Sequence, residues 1–305
     1  MTQTFRIRNP EDMLAVVPVV LGFHPTDSLV MLTFPARGTG FHARVDLPRD
    51  EAGRDEAACS LVDAAVSNDI DRVAFVAYVD DEALAARALL ATHDRFDAED
   101  LDVVDLLWAH APAWESLLSG RHGSFDTGSH PFTARAVVEG RVTHASRSDL
   151  EATIAPVAEQ VEACRFALAA LEASASDVAR ATETVLSHVE DGTRLADGEV
   201  ARLVAATADD AGWTELWMLP AREDARHHAA LWADVVRRCP EELVAGPAAL
   251  LGHTAWLTGD GALAWCAVDR CRAVEPGHPG AVVVAELLEQ AVPPSRWQRG
   301  LQEPA

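Results

Sequence analysis

Leu21–Pro48 reads LGFHPTDSLVMLTFPARGTGFHARVDLP, and the pattern of this stretch decides the architecture of the first half of the chain. Ser28–Phe34 (SLVMLTF) is apolar and rich in β-formers, Pro35–Gly40 (PARGTG) is turn chemistry, and Phe41–Leu47 (FHARVDL) alternates. Two such arms around a Gly- and Pro-containing turn predict a β-hairpin. In the second arm His42, Arg44 and Asp46 occupy every second position and share one face, with Phe41, Ala43, Val45 and Leu47 on the other. Just upstream, His24-Pro25-Thr26-Asp27-Ser28 predicts a tight polar turn, in which Pro25 sets φ and Asp27 bonds nearby backbone amides. The hairpin therefore gathers His24, Asp27, Ser28, Arg44 and Asp46 into a candidate ligand-binding set.

Upstream of the hairpin, Phe5–Arg8 predicts a short first strand. Asn9 then caps a helix that opens on Pro10, carries Glu11 and Asp12 in its first turn, and ends near Pro18 or Gly22. Downstream, Ala58, Leu61, Val62, Ala65 and Val66 recur at helical spacing and predict a helix over about residues 52–69. Arg72–Val79 reads as a buried strand, Asp81 caps a helix carrying Leu84, Ala88 and Leu89, and Leu101–Trp108 reads as another strand. Strand, helix, strand in succession implies parallel pairing through right-handed crossovers, and the antiparallel hairpin makes the sheet mixed. The expectation is an α/β domain over residues 1–145. Its acidic run, Asp94, Asp97, Glu99, Asp100, Asp102 and Asp105, lacks the central glycine and terminal glutamate of a calcium loop and reads as a solvated loop. Ser119–His130 (SGRHGSFDTGSH) reads as a flexible loop or a lid.

From residue 147 only helical periodicity remains, so residues 146–305 are expected to form an all-α bundle. Leu150, Ile154, Val157, Val161, Cys164, Leu168 and Leu171 step alternately by four and three, a heptad seam over three repeats, which is too few to favour a dimer coil over a seam within an intramolecular bundle. Further helices are expected at about 176–190, 198–211, 223–239, 247–258, 261–275 and 279–291, punctuated by Gly192, Gly212, Pro240, Gly259 and Pro276. Within LLGHTAWLTGDGALAWCAVDRCRAVEP, the residues Leu251-Gly252, Ala255, Gly259, Ala264 and Pro276 fall at tetratricopeptide spacings. One such helix pair is legible, where stable arrays use about three.

The run LGFHPTDSLV followed by ARVDLP resembles the N-terminal signature of a widespread actinobacterial family described as a domain of unknown function. Asp12–Pro18 resembles the opening helix of that family, and the resemblance extends to Pro293-Pro294, nearly the whole chain. It implies a shared fold and no particular activity. Where the family often carries cysteines, near residues 117–128, this chain has SLLSGRHGSFDTGS, so the resemblance implies no metal site here.

Composition narrows the function classes. The 305 residues are 49% apolar, which suits a folded globular chain long enough for two domains. All 25 basic residues are arginine, so chemistry that requires a lysine ammonium, such as a P-loop or a Schiff base, has no residue to perform it. The net charge of −23 is even, with 13 arginines against 24 acidic residues up to residue 150 and 12 against 24 beyond it. Neither half offers a cationic groove, which disfavours nucleic acid and anionic membrane surfaces as partners. An acidic surface can also mimic DNA, but a solvated surface is the simpler reading. Cys59, Cys164, Cys239, Cys266 and Cys271 form no CxxC and read as reduced thiols, consistent with the cytoplasm. No stretch approaches the roughly 18 apolar residues of a membrane span, and Met13–Phe23, preceded by Glu11 and Asp12 and interrupted by Pro18, does not read as a signal peptide.

Three chemistries compete for the hairpin residues. Ser28 with His24 as base and Asp27 or Asp46 as orienter has the composition of a hydrolase set, yet Ser28 begins a strand and lacks the GxSxG elbow. His24, Asp27, His42 and Asp46 are metal-ligating types, but Arg44 on the same face opposes a cation. A small-molecule site oriented by Arg44 at the strand ends fits an open α/β sheet, although no GxGxxG or Walker motif points to a nucleotide. Against these stands a buried hydrogen-bond network that holds hairpin register. His228 and His253 fall on apolar helix faces and read as core histidines. No catalytic set, metal centre or cofactor is assigned. The leading expectation is a non-enzymatic interaction or scaffold protein that takes a protein partner through its C-terminal helices; the alternative is a small-molecule-binding protein or hydrolase using the His24–Arg44 cluster.

Overall fold

A computed structural model describes residues 5–35, 41–171 and 178–296. In chain order the elements are α1 (Pro10–Leu21), β1 (Ser28–Thr33), β2 (His42–Asp46), α2 (Glu51–Ser67), β3 (Arg72–Tyr78), α3 (Glu82–Ala98), β4 (Asp102–His110), β5 (Ala113–Ser116), β6 (His122–Ser124) and α4 (Pro131–Val138). There follow α5 (Arg147–Ala152), α6 (Ala158–Ala169), α7 (Val178–Asp191), α8 (Asp197–Thr207), α9 (Asp210–Met218), α10 (Ala225–Arg238), a 3-10 turn at Glu241–Leu243, α11 (Ala245–Thr258), α12 (Gly261–Val274) and α13 (Pro279–Glu289). The chain divides into two compact units, one running to Asp149 and including Glu289–Ala291, the other running from Leu150 to Leu288 and resuming at Val292.

The first unit is built on a six-stranded sheet in the order β2-β1-β3-β4-β5-β6. The hairpin forms as its alternation predicts, with Ser28 opposite Asp46 and Leu32 opposite His42; the turn expected at Pro35–Gly40 lies, from residue 36 on, outside the described residues. β3 and β4 are parallel, joined through α3, whereas β1 is antiparallel to both β2 and β3. The sheet is therefore mixed and partly parallel. The connection through α2 carries the chain from β2 across β1 to β3.

Because side chains alternate across a strand, Leu29, Met31, Val73, Phe75, Ala77 and Leu106 point into one core with Leu61, Leu84, Leu89 and Phe96 of α2 and α3. On the opposite face Val30, Leu32, Val76 and Leu107 are also fully buried, and α1 packs there on β1 and β2. Asn9 caps α1 by accepting from the Asp12 amide at 2.7 Å. The helix runs through Pro18 and stops where Gly22 takes a left-handed φ of 76° and donates to the Pro18 carbonyl.

Several expectations need correction. Phe5–Arg8 is not a strand: the Arg8 amide donates to Asp12 Oδ2 at 2.8 Å, and Phe5 packs its ring 5.0 Å from Phe132, so the segment docks on helices instead of joining a ladder. Within Ser119–His130, His122–Ser124 forms β6, which extends the sheet beside β5. Both strands are short and lack apolar alternation, so pairing of β5 on β4 and of β6 on β5, and not their own pattern, makes them strands. Val66, placed on the apolar face of α2, is 53% exposed. The acidic run is mostly not a loop: Asp94 and Asp97 lie in α3, and Asp102 and Asp105 in β4, where Asp105 Oδ1 accepts from Ser116 Oγ at 2.6 Å. The expected continuous seam from Leu150 to Leu171 is broken between Ala152 and Ala158, around Pro156, which lacks a helix N–H and drives the preceding residue out of helical geometry. The helix expected at 198–211 is two: α8 ends at Thr207, and Asp209 caps α9 by accepting from the Gly212 amide at 3.1 Å. The start expected for the preceding helix, at 176, lies outside the described residues.

The second unit is built around α11. Residues Ala245–Leu257 carry no charge and all are buried, as a helix apolar on every side must be; α10 and α12 pack directly on it. His228 and His253 are core histidines, 0% and 1% exposed, and His253 stacks on Trp217 with ring centroids 4.0 Å apart. Burial holds His253 down to about 3 from 6.5, and His228 is lowered for the same reason despite the opposing pull of Asp224. The unfolded chain therefore binds protons that the folded one refuses. The resulting stability is fully present above about pH 6.5 and is lost, by about 1.4 kcal/mol per pH unit for each such group, as pH falls toward the folded value. Urea midpoints measured at pH 7.5 and pH 5 should differ less for His253→Phe than for the wild type; equal pH slopes would refute this assignment.

Candidate functional site

The five hairpin residues separate into a joined group and two outliers. Ser28 heads β1 directly opposite Asp46 of β2, and Arg44 lies one step along the same face. The Arg44 Nε donates to Ser28 Oγ at 2.8 Å, the Ser28 hydroxyl donates to the Thr26 carbonyl at 2.6 Å, and Arg44 Nη2 pairs with Asp46 Oδ1 at 2.6 Å. Ser28 is fully buried and the Arg44 side chain only 16% exposed. Replacing Ser28 by alanine strands the Arg44 Nε and should lower stability by about 1.5 kcal/mol. A double-mutant cycle with Arg44→Ala, read by urea unfolding, should show coupling between the two; strict additivity would contradict the pairing.

Asp27 adopts φ +43°, a left-handed conformation that aspartate tolerates better than most residues. Its carboxylate is exposed and meets Arg49 at 3.7 Å rather than Arg44. His24 is exposed; its backbone amide donates to the His144 carbonyl at 3.1 Å, and partial burial lowers its pKa from 6.5. Since the Ser28 proton is committed to the Thr26 carbonyl, the described hydrogen bonds contain no Ser28–His24 link from which a nucleophile could be raised. His42 shares the face of Arg44; its Nδ1 accepts from the Thr33 amide at 3.4 Å, and burial holds it down to about 4, so it is neutral near pH 7.

The register continues the Ser28 row across the sheet as Asp46, Ser28, Tyr78, Ala109, Trp114 and Gly123. The Tyr78 hydroxyl and Trp114 Nε1 are buried with no hydrogen-bond partner. Burial raises the Tyr78 pKa, so its phenol stays protonated. The Trp114 indole lies against Gly123, where a Cβ would stand 2.9 Å from Nε1; glycine at this position is what lets the ring lie down.

Two polar groups were not singled out from the sequence. His130 Nε2 meets Asp12 Oδ1 at 3.1 Å, while Nδ1 accepts from the Phe132 amide at 3.2 Å, so this imidazole caps α4 and ties it to the start of α1. Its signal was His-Pro at a helix start. In the second, Ser119 Oγ donates to Ser116 Oγ at 2.8 Å, and Ser116 donates to Asp105; this needed the β4–β5 register. Among the described residues no group of three or more His, Cys, Asp or Glu is placed to hold a metal. A cleft of about 460 Å³ opens between α6, the start of α8 and Arg238, and none of the five hairpin residues lines it.

The family model described as Domain of unknown function (DUF4192) matches residues 10–295. The chain belongs to the DUF4192 family. No curated protein and no solved structure matches it. In this DUF4192 chain the match begins at the first residue of α1 and continues beyond α13, so it takes in the hairpin, the whole sheet and the helices of the second unit. Among the described residues no helix of the DUF4192 fold here is long and apolar enough to cross a membrane.

Proposed function

We propose that this protein is a non-enzymatic interaction protein, a cytoplasmic scaffold with an α/β domain over residues 1–145 and a helical domain over 146–305 that takes a protein partner. The observation that carries the reading is the close approach of α11 to the helices after it. A Cβ at Gly252 would stand 3.5 Å from Val268 Cγ2, 3.6 Å from the Ala264 carbonyl and 3.6 Å from Val284 Cγ1. One helix thus touches both its hairpin partner α12 and the following α13, the relation between successive helices of a tetratricopeptide array. Gly259, at φ +85°, closes the turn between α11 and α12. Val274, Val282 and Val283 are each more than one-third exposed and offer apolar contact area on α12 and α13. Five cysteines that are all free support the cytoplasmic placement.

The test uses the full chain and a Val282→Glu/Val283→Glu variant, both verified as folded, as baits in affinity capture. A specific protein retained by the wild type and lost by the variant is the expected result. Identical recoveries, or nothing beyond the bare support, would reject the reading. A second reading, a small-molecule or hydrolytic site around His24 and Arg44, draws on the partnerless hydroxyl of Tyr78, the residue opposite Ser28 in the register, since a buried donor left unmade calls for an explanation. A thermal-shift screen with metals and nucleotides tests it: a ligand that raises the melting temperature of the wild type but not of Arg44→Ala supports it, and no shift counts against it.

A further inference from the structure

We infer that β2 is a self-complementary edge through which two copies of this chain join their sheets, with Arg44 of each copy paired to Asp46 of the other. Among the described residues β2 is the outermost strand of the sheet and β1 is its one ladder partner. The Leu47 amide donates to the Asp27 carbonyl at 2.9 Å, which marks that pair as hydrogen-bonded. Antiparallel ladders alternate bonded and non-bonded pairs. Leu47, Val45 and Ala43 therefore turn their backbone groups toward β1, and His42, Arg44 and Asp46 turn theirs outward from the edge.

Only a few registers place outward groups opposite one another across a two-fold axis. Centring the axis on Arg44 sets two guanidinium groups face to face, and like charges directly opposite destabilise a ladder. Centring it on Val45 makes each Arg44 a hydrogen-bonded partner of Asp46 in the second copy, with Cβ atoms about 5 Å apart. That register forms four backbone hydrogen bonds. On the other face it sets Val45 against Val45 and Ala43 against Leu47 of the second copy, which matches the apolar alternation of the strand. Charge thus favours this register over the one centred on Arg44, and over one centred on Ala43, which sets Arg44 against His42 and leaves Asp46 without a cationic partner in the second copy. The Asp46 carboxylate is held by its own Arg44 through Oδ1 at 2.6 Å, yet is 80% exposed and so keeps open surface for a contact from the second copy. A chain of net charge −23 repels its own copies, but at physiological salt the screening length is about 8 Å, so short contacts at the edge survive.

Light scattering coupled to size exclusion, run on the full chain up to about 100 μM, tests this directly. The wild-type mass should rise with concentration toward twice the 32.7 kDa of one chain. Asp46→Arg sets arginine against arginine and Asp46→Pro removes an outward N–H; each should weaken association at least about tenfold. Asp46→Glu should retain it. Because the Asp46 amide faces away from β1, both disrupting variants keep their own ladder, which unchanged thermal unfolding would verify. A single-chain mass for the wild type at every concentration overturns the inference. So does a dimer that persists in Asp46→Arg and Asp46→Pro, which would place the contact elsewhere.

Discussion

Gly212→Ala is expected to destabilise the helical unit by about 3 kcal/mol, because the new methyl has no room to form. Gly212 lies in the first turn of α9, held against the last turn of α8; a Cβ there would collide with the Ala206 carbonyl oxygen and reach Val178 Cγ2 at 3.3 Å. The obstructing atom is backbone, so a rotamer change cannot relieve it. A Cβ on Gly246 of α11 would stand 2.7 Å from the Thr207 carbonyl oxygen in that same last turn of α8, so one helix end is gripped from two sides. Gly198, inside α8 and facing open space, is the control: Gly198→Ala should be neutral or stabilise by about 0.5 kcal/mol through helix propensity. Tryptophan fluorescence during urea unfolding reads both, since Trp213 and Trp217 sit on α9. Equal effects at the two glycines would show that propensity, and not steric exclusion, governs this corner.

Arg238→Ala should cost about 3 kcal/mol, the order found when one member of a buried ion pair is removed. Arg238 is 2% exposed at the end of α10. Its Nη1 donates to the Leu195 carbonyl at 2.9 Å and Asp234 at 2.8 Å, and Nη2 donates to Asp197 at 2.5 Å. One planar guanidinium thereby ties α10 to the segment that begins α8. Arg238→Lys should recover only part of the loss, because a single ammonium cannot span the three acceptors in that fork geometry. Full rescue by lysine would reduce the interaction to simple charge pairing.

How much of this was legible in advance depends on the range of the interaction. Asn9 and Asp81 each accept from an amide three residues on and were legible as caps; Asp50 and Asp209 cap in the same way, but Asp209 was hidden inside a stretch whose apolar spacing reads as one helix. The hairpin was equally visible, because a period of two and a Gly/Pro turn specify pairing within twenty residues. Ser28, Arg44 and Asp46 came together for that reason. Asp27 and His24 did not join them, since the turn gives Asp27 to Arg49 and leaves His24 facing solvent. The long seam failed where Pro156 interrupts it: apolar spacing carried on across a residue that cannot continue a helix.

Local pattern alone determined the class of each half, the presence of the hairpin and most helix positions, and composition the absence of lysine chemistry, since all of these follow from residues close in sequence or from composition. Tertiary structure decided that Phe5–Arg8 leaves the sheet, that β5 and β6 enter it, that Arg238 lies buried between two carboxylates, and that β2 ends as the open edge. Phe5 meets Phe132, Arg238 meets Asp197 and β1 meets β3 across tens of residues, while β5 and β6 pair through short connections but only on the edge that β4 provides, so the hydrogen bonds and burial of the assembled core outweigh local preference.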